Sequence, residues 1–132
     1  MKLLLDTHIF VWWLGDPTKL SREVLDLCQD PDNLLLVSVV SIWEILIKHP
    51  AGRVRFTSPL PDLLERQEKG NNVGILPVVV SHMLGLNGLL WYPEHKDPFD
   101  RLLIAQAKVE NATLLTVDDK IHRYSYPIRC IK

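Results

Sequence analysis

The stretch that decides the fold is KLLLDTHIF, residues 2–10. Lys2–Leu5 is a near-continuous apolar run with no polar alternation, as expected of a strand covered on both faces of a parallel sheet. Asp6 ends it abruptly. In open parallel sheets ligands gather outside the carboxyl ends of the strands. Asp6 is therefore either turn chemistry or the first member of a site.

The pattern recurs along the chain. Leu34–Val37, Leu114–Val117 and Ile128–Ile131 read as further strands, and Gly74–Val78 as a weaker one that Pro77 restricts to an edge or an end. Helical patterns fall between them: Leu20–Gln29, Ser41–His49, Pro61–Glu68, Val80–Leu86 and, the strongest, Pro98–Val109. The packed side of that last helix is read as Phe99, Leu102 and Leu103 with the small Ala105 and Ala107. Strands alternating with helices predict an α/β sandwich on a mainly parallel sheet. Pro and Gly clusters, such as Gly15-Asp16-Pro17 and Ser58-Pro59-Leu60-Pro61, mark loops, and no internal repeat appears.

Size and charge narrow the function. At 132 residues the chain is expected to be one domain, 1–132, and its 47% hydrophobic and 23% charged residues are ordinary globular usage. Fifteen basic and 16 acidic residues give a net charge of -1, so a polyanionic partner would need a local basic patch. Cys28 and Cys130 lack metal-type spacing and suit a reducing cytosol. The start resembles a signal peptide, but Asp6 and His8 interrupt it, and Gly15-Asp16-Pro17 stops the apolar run well short of the ~20 residues of a membrane span. A soluble, cytoplasmic protein is expected.

Four acids stand at the ends of successive elements. Asp6 and Asp118 follow strand patterns, and Glu44 and Asp100 lie in the first turns of predicted helices. Carboxylates held together repel unless a cation neutralises them or some take up protons. An all-oxygen set suits Mg²⁺ or Mn²⁺, whether as one ion or two. Such an ion lowers the pKa of a bound water and neutralises phosphoryl charge, which is chemistry for phosphodiester hydrolysis. Each acid also has a capping alternative. Ser41-Ile42-Trp43-Glu44 fits a capping box, and Asp6 or Asp118 could cap the next helical turn. In Asp97-Pro98-Phe99-Asp100 the two roles separate: Asp97, before a Pro at the first helical position, is the expected helix cap, and Asp100 the expected ligand.

These residues carry a resemblance. Leu4-Leu5-Asp6-Thr7-His8, Ser41 to Ile45, Asp97 to Ala107 and Leu114 to Asp118 resemble, in order, the motifs of PIN-domain proteins, most closely the VapC-type toxin ribonucleases of bacterial toxin–antitoxin pairs. The Asp97–Ala107 segment is the most specific. The resemblance implies a three-layer α/β/α fold and a metal-dependent endoribonuclease for single-stranded RNA, leaving a 3′-hydroxyl and a 5′-phosphate. It maps the acidic site onto Asp6, Glu44, Asp100 and Asp118, with Thr116 where the family often has Ser or Thr. It also implies homodimers and a cognate antitoxin whose tail lies across the active-site groove. Pro50 departs from the family's continuing helix, which puts the groove wall and RNA preference in doubt.

Lys48, Arg53 and Arg101 are candidate contacts for RNA phosphates, with Arg55 and Lys96 nearby. Of the adjacent Trp12 and Trp13 one is expected to be exposed, at a dimer or antitoxin interface. His8 is read as a support beneath the cleft, with a general-base role open for it and for His95. Two alternatives compete: a catalytically inactive RNA- or protein-binding module on the same fold, and a receiver-type phosphosignalling domain. The latter's acidic pair after the first strand is missing here, because Thr7 and His8 follow Asp6.

Overall fold

A computed structural model describes residues 1–49, 56, 58–70, 73–89, 92–93, 97–122 and 129–131. Five parallel strands form one sheet in the order β3-β2-β1-β4-β5. They are β1 (Lys2–Leu5), β2 (Leu34–Ser38), β3 (Val73–Leu76), β4 (Thr113–Leu115) and β5 (Arg129–Ile131). β1 lies at the centre, with Leu4 paired to Leu36 on one side and Leu114 on the other.

Its side chains divide the core. Leu4 and Leu114 face a cluster built with Leu103, Ile104 and Ala107 of α6 (Pro98–Glu110). Leu3, Leu5 and Leu115 face the opposite cluster, which holds Ile9 and Phe10 of α1 (Thr7–Gly15) and Val24 and Cys28 of α2 (Arg22–Gln29). Successive strand residues point to opposite faces. The uninterrupted leucines are thus explained: both faces of the sheet are roofed by helices, giving three layers.

The strand assignments shift by a few residues. β4 ends at Leu115, so Thr116 and Val117 lie beyond the strand, although the Thr116 N–H still reaches the Ile131 carbonyl at 3.0 Å. β3 is an edge strand ending just before Pro77, which satisfies proline's need for a place outside the ladder. Helix α1 was legible only as an alternative role for Asp6. Its nine residues, THIFVWWLG, are so uniformly apolar that no 3.6-residue stripe stands out.

α3 (Val39–Lys48) begins two residues earlier than its pattern, directly after β2, with Ser38 as its cap: the Ser38 hydroxyl accepts from the Val40 N–H at 3.0 Å. The remaining helices are α4 (Leu60–Gly70), α5 (Val80–Leu84) and α7 (Asp119–His122). α6 is buried on more sides than expected. Its interior set is Arg101 and the run Leu103, Ile104, Ala105, Gln106 and Ala107, while Phe99 and Leu102 are only partly buried.

α5 is pinned to α6 by a buried histidine. His82 Nδ1 accepts from the Val79 N–H at 3.1 Å, which leaves Nε2 as the donor to Glu110 Oε2 at 2.8 Å. Lys2 closes the cluster through the Glu110 carbonyl at 3.1 Å. His82 and Lys2 together hold the Glu110 carboxyl below its ordinary range. Gly85 ends α5 against α6 so closely that a Cβ there would sit 2.8 Å from Val109 Cγ2. Among the described residues no helix is long and apolar enough to cross a membrane.

Candidate active site at the carboxyl edge of the sheet

A helix that follows or precedes a parallel strand in this topology runs back against the sheet. The N-termini of α1, α3 and α6 therefore lie at the edge where β1, β2 and β4 end. From β1 the chain passes to β2 on one side and later to β4 on the other, so the strand order reverses between β1 and β4. Asp6 and Asp118 stand at that switch point, where α/β sheets place their ligands.

Asp6 is 3% exposed and caps α1, its Oδ1 accepting from the Ile9 N–H at 2.9 Å. Its Oδ2 accepts a short hydrogen bond from the fully buried Thr116 hydroxyl. Burial pushes the Asp6 carboxyl above the usual aspartate range; those two hydrogen bonds and His8 pull it back in part, and the nearby charge of Asp118 raises it further. The Thr116 oxygen also accepts from the Asp118 N–H at 3.1 Å, so one side chain ties both acids together across the switch point. Asp118 is half-buried and turns the next helix, its Oδ1 accepting from the Lys120 N–H at 2.8 Å. Among the described residues its Oδ2 has no hydrogen-bond partner. Capping and site roles are thus not exclusive: each acid gives a helix one oxygen.

Glu44 is placed differently from expectation. With α3 starting at Val39, it is the sixth helical residue rather than a member of the first turn, and Ser41 lies inside the helix. The Ser41–Glu44 capping box does not exist. Instead the buried Ser41 hydroxyl accepts from the Thr7 hydroxyl at 3.1 Å and locks α3 to α1 beside Asp6. Glu44, one turn on, is 5% exposed and bonded to Lys48 Nζ at 2.5 Å. The Thr7–Ser41 link was not anticipated; its two hydroxyls were visible in the motifs, but nothing in their spacing paired them.

Asp97 is the N-cap of α6, accepting from the Phe99 and Asp100 N–H groups at 2.9 and 3.2 Å. Asp100 is half-buried in the first turn. Edge-to-face packing of Trp43 on Phe99, centroids 4.9 Å apart, joins α3 and α6 next to Glu44 and Asp100. Asp6, Asp118 and Asp100 stand at element ends on this edge, with Glu44 further along α3, and among the described residues no three His, Cys, Asp or Glu side chains are gathered closely enough to hold a metal ion.

One basic residue, Arg101, needs correction. Arg101 is only 7% exposed, packed into α6's interior side rather than open to a phosphate, because its position on the helix faces the neighbouring elements. Lys48 is engaged with Glu44. Arg53, with Pro50, Arg55, His95 and Lys96, lies outside the described residues. His8 is exposed and tilted against Trp12 rather than beneath the cleft. Trp12 and Trp13 are both partly buried against the core, Trp13 donating to Gln67 Oε1 at 2.9 Å. Among the described residues the exposed aromatic is instead Trp43, which with Val39, Leu46 and Ile47 forms an apolar stripe along α3; Val80, Met83 and Leu84 form a second on α5.

Comparison with known proteins yields three findings. The sequence profile described as "PIN domain" matches residues 3–126. Ribonuclease VapC22 of Mycobacterium tuberculosis is 29% identical over 126 residues, covering 95% of this chain and 93% of that protein. Among solved structures, VapBC2 from Rickettsia felis bound to a promoter DNA fragment superposes with a TM-score of 0.72 at 18% identity, over 99% of this chain and 98% of that one. VapBC-1 from nontypeable Haemophilus influenzae does so with 0.70 at 21% identity, over 100% and 98%. At those identities the structures speak for the fold.

Proposed function

This chain belongs to the PIN domain family, and on that footing we propose that it is a metal-dependent endoribonuclease for single-stranded RNA, the toxin of a toxin–antitoxin pair. The observation that carries the reading is the Thr116 hydroxyl at the switch point of the sheet, which donates to the buried Asp6 carboxylate and accepts from the Asp118 backbone N–H, in a setting where the Asp118 charge is near enough to raise the Asp6 carboxyl. Two carboxylates kept together, one of them dry, are an unfavourable arrangement until a cation joins them. The chemistry of the donor set suits Mg²⁺ or Mn²⁺, being oxygen only: Asp6 and Asp118 are assigned as the core of the site, with Glu44 on α3 and Asp100 on α6 as the further ligands that would close on the ion. When bound, such an ion supplies Lewis acidity, lowering the pKa of a water and offsetting phosphoryl charge.

The chain's own residues do the rest. Thr116 and the Ile9 N–H orient the Asp6 carboxylate and oppose its protonation. The Thr7–Ser41 link holds α3, and with it Glu44, against α1. Lys48 and Arg53 are the basic side chains assigned to RNA phosphates. Ribonuclease activity is the named property of the Mycobacterium tuberculosis relative, and one solved structure that shares the fold is a toxin–antitoxin complex from Klebsiella pneumoniae. For this chain a cognate antitoxin and a second copy are the partners proposed, in the cytoplasm, and the apolar stripes on α3 and α5 offer surface for them to cover.

The test is cleavage of single-stranded RNA by the purified, antitoxin-free protein with Mg²⁺ or Mn²⁺, with chelator, and with an Asp6→Asn variant. Cleavage that requires both metal and Asp6, leaving 3′-hydroxyl and 5′-phosphate ends, is expected. Absence of both cleavage and divalent-ion binding would overturn the reading in favour of a binding module.

A further inference from the structure

The four acids do not face the same situation. Asp6 and Asp118 are served by neutral donors, whereas Glu44 is held by a cation of the chain itself: Lys48 Nζ lies 2.5 Å from Glu44 Oε2. The other i,i+4 ion pairs among the described residues differ in kind. Arg22–Asp26 and Glu65–Lys69 have both side chains more than half exposed, and such pairs contribute little. In the Lys48–Glu44 pair the side chains are 29% and 6% exposed. Glu N-terminal to Lys is the favourable orientation. Lys48, in the last turn of α3, has a side chain that leans back toward the helix N-terminus, over Glu44 and toward the site's edge.

We propose that Lys48 is the resident counter-ion of the site: it neutralises Glu44 in the metal-free protein and must be displaced before Glu44 can serve a divalent cation. The inference rests on the metal reading of the four acids. Its physical basis is storage. A carboxylate 5% exposed needs a charged partner at all times, and Lys48 supplies one without closing the site. Metal loading at Glu44 is then an exchange of one cation for another, not an addition. The released ammonium stays beside the groove, where RNA phosphate is its natural next partner.

The experiment is Mn²⁺ binding, measured by calorimetry and by the Mn²⁺ electron paramagnetic resonance signal, on wild type, Lys48→Met, Glu44→Gln and the double variant. Breaking a charge-assisted hydrogen bond that competes with the ion should tighten Mn²⁺ binding of Lys48→Met about tenfold. Glu44→Gln should bind more weakly, and adding Lys48→Met to it should change nothing further. Equal or weaker binding by a folded Lys48→Met protein overturns the inference, as does the same tightening in the Glu44→Gln background, which would signal only a general charge effect. Lys48→Gln serves if the methionine variant does not fold. If none of the four proteins binds Mn²⁺, the metal reading itself fails, and that result is distinct from equal binding by all.

Discussion

Asp6→Asn should abolish cleavage and, in the absence of divalent ions, stabilise the protein. Asparagine caps a helix about as well as aspartate, and it retains a partner for Thr116 and for the Ile9 N–H. What disappears is the charge. Burial is the largest influence on this carboxyl and raises it, outweighing the two hydrogen bonds that lower it. The charged form is therefore under net strain at neutral pH. Removing it trades charge-assisted hydrogen bonds for neutral ones, a loss of about 1 kcal/mol each, against a desolvation penalty of several kcal/mol. A net gain of about 1–2 kcal/mol follows, or roughly 3–8 °C in Tm for a domain of this size. The pH dependence has a definite sign. Because the folded-state pKa lies above the unfolded value of about 3.8, the folded wild type binds the extra proton. Its stabilisation is complete below the unfolded pKa and fades as pH rises through the folded one. The advantage of Asp6→Asn should thus be absent in acid and appear toward neutrality. Saturating Mg²⁺ or Mn²⁺ should raise the Tm of wild type alone and narrow the gap. Thermal melts from pH 3 upward, with and without metal, measure all of this. An Asp6→Asn protein that melts below wild type at neutral pH without metal would refute the argument, since the Asp6 charge would then be a stabilising one.

Other substitutions test the division of roles around α6. Asp100→Asn should eliminate cleavage with an unchanged melt, whereas Asp97→Ala should lose about 1 kcal/mol of stability with its two backbone bonds while keeping activity; equal loss of activity in both would refute the split. Gly85→Ala, whose added Cβ meets Val109 at 2.8 Å, should destabilise by about 1–3 kcal/mol by forcing α5 off α6, read by denaturant titration. Because that contact is remote from the acidic edge, cleavage per folded molecule should be unaffected.

The sheet was legible because its strands are covered on both faces, and such strands are written as unbroken apolar runs. The same physics hid α1. A helix with little polar face has no periodicity to read, and Trp12 and Trp13 looked like candidates for exposure when both lie partly against the core. The start of α3 was obscured by a duplicated signal: Ser38 and Ser41 stand three residues apart, either could be a cap, and the β-branched Val39 and Val40 favour a strand locally. Packing against both core clusters, through Val40 and Ile45, overrides that preference. Around the site, the placing of Asp6, Asp100 and Asp118 at element ends and of Asp97 as a cap was legible in the sequence, whereas Glu44, expected in a first turn, lies in mid-helix. The Thr7–Ser41 link and the burial of Arg101 were not legible, since each depends on how two helices meet rather than on any local spacing.

The Thr116–Asp6 bond spans 110 residues of chain. Synthesis runs from the N-terminus, so Asp6 emerges early and β1 finds β2 while most of the protein is still unmade. Its second neighbour, β4, and the threonine that orients it arrive only after α6 has been completed. A ribosome-bound nascent chain can thus carry Asp6, Glu44 and Asp100 and still lack the pairing that sets their edge. On the proposed reading, manufacture and activity would be separated in time: the acidic edge is completed only once β4 and Asp118 are free to dock.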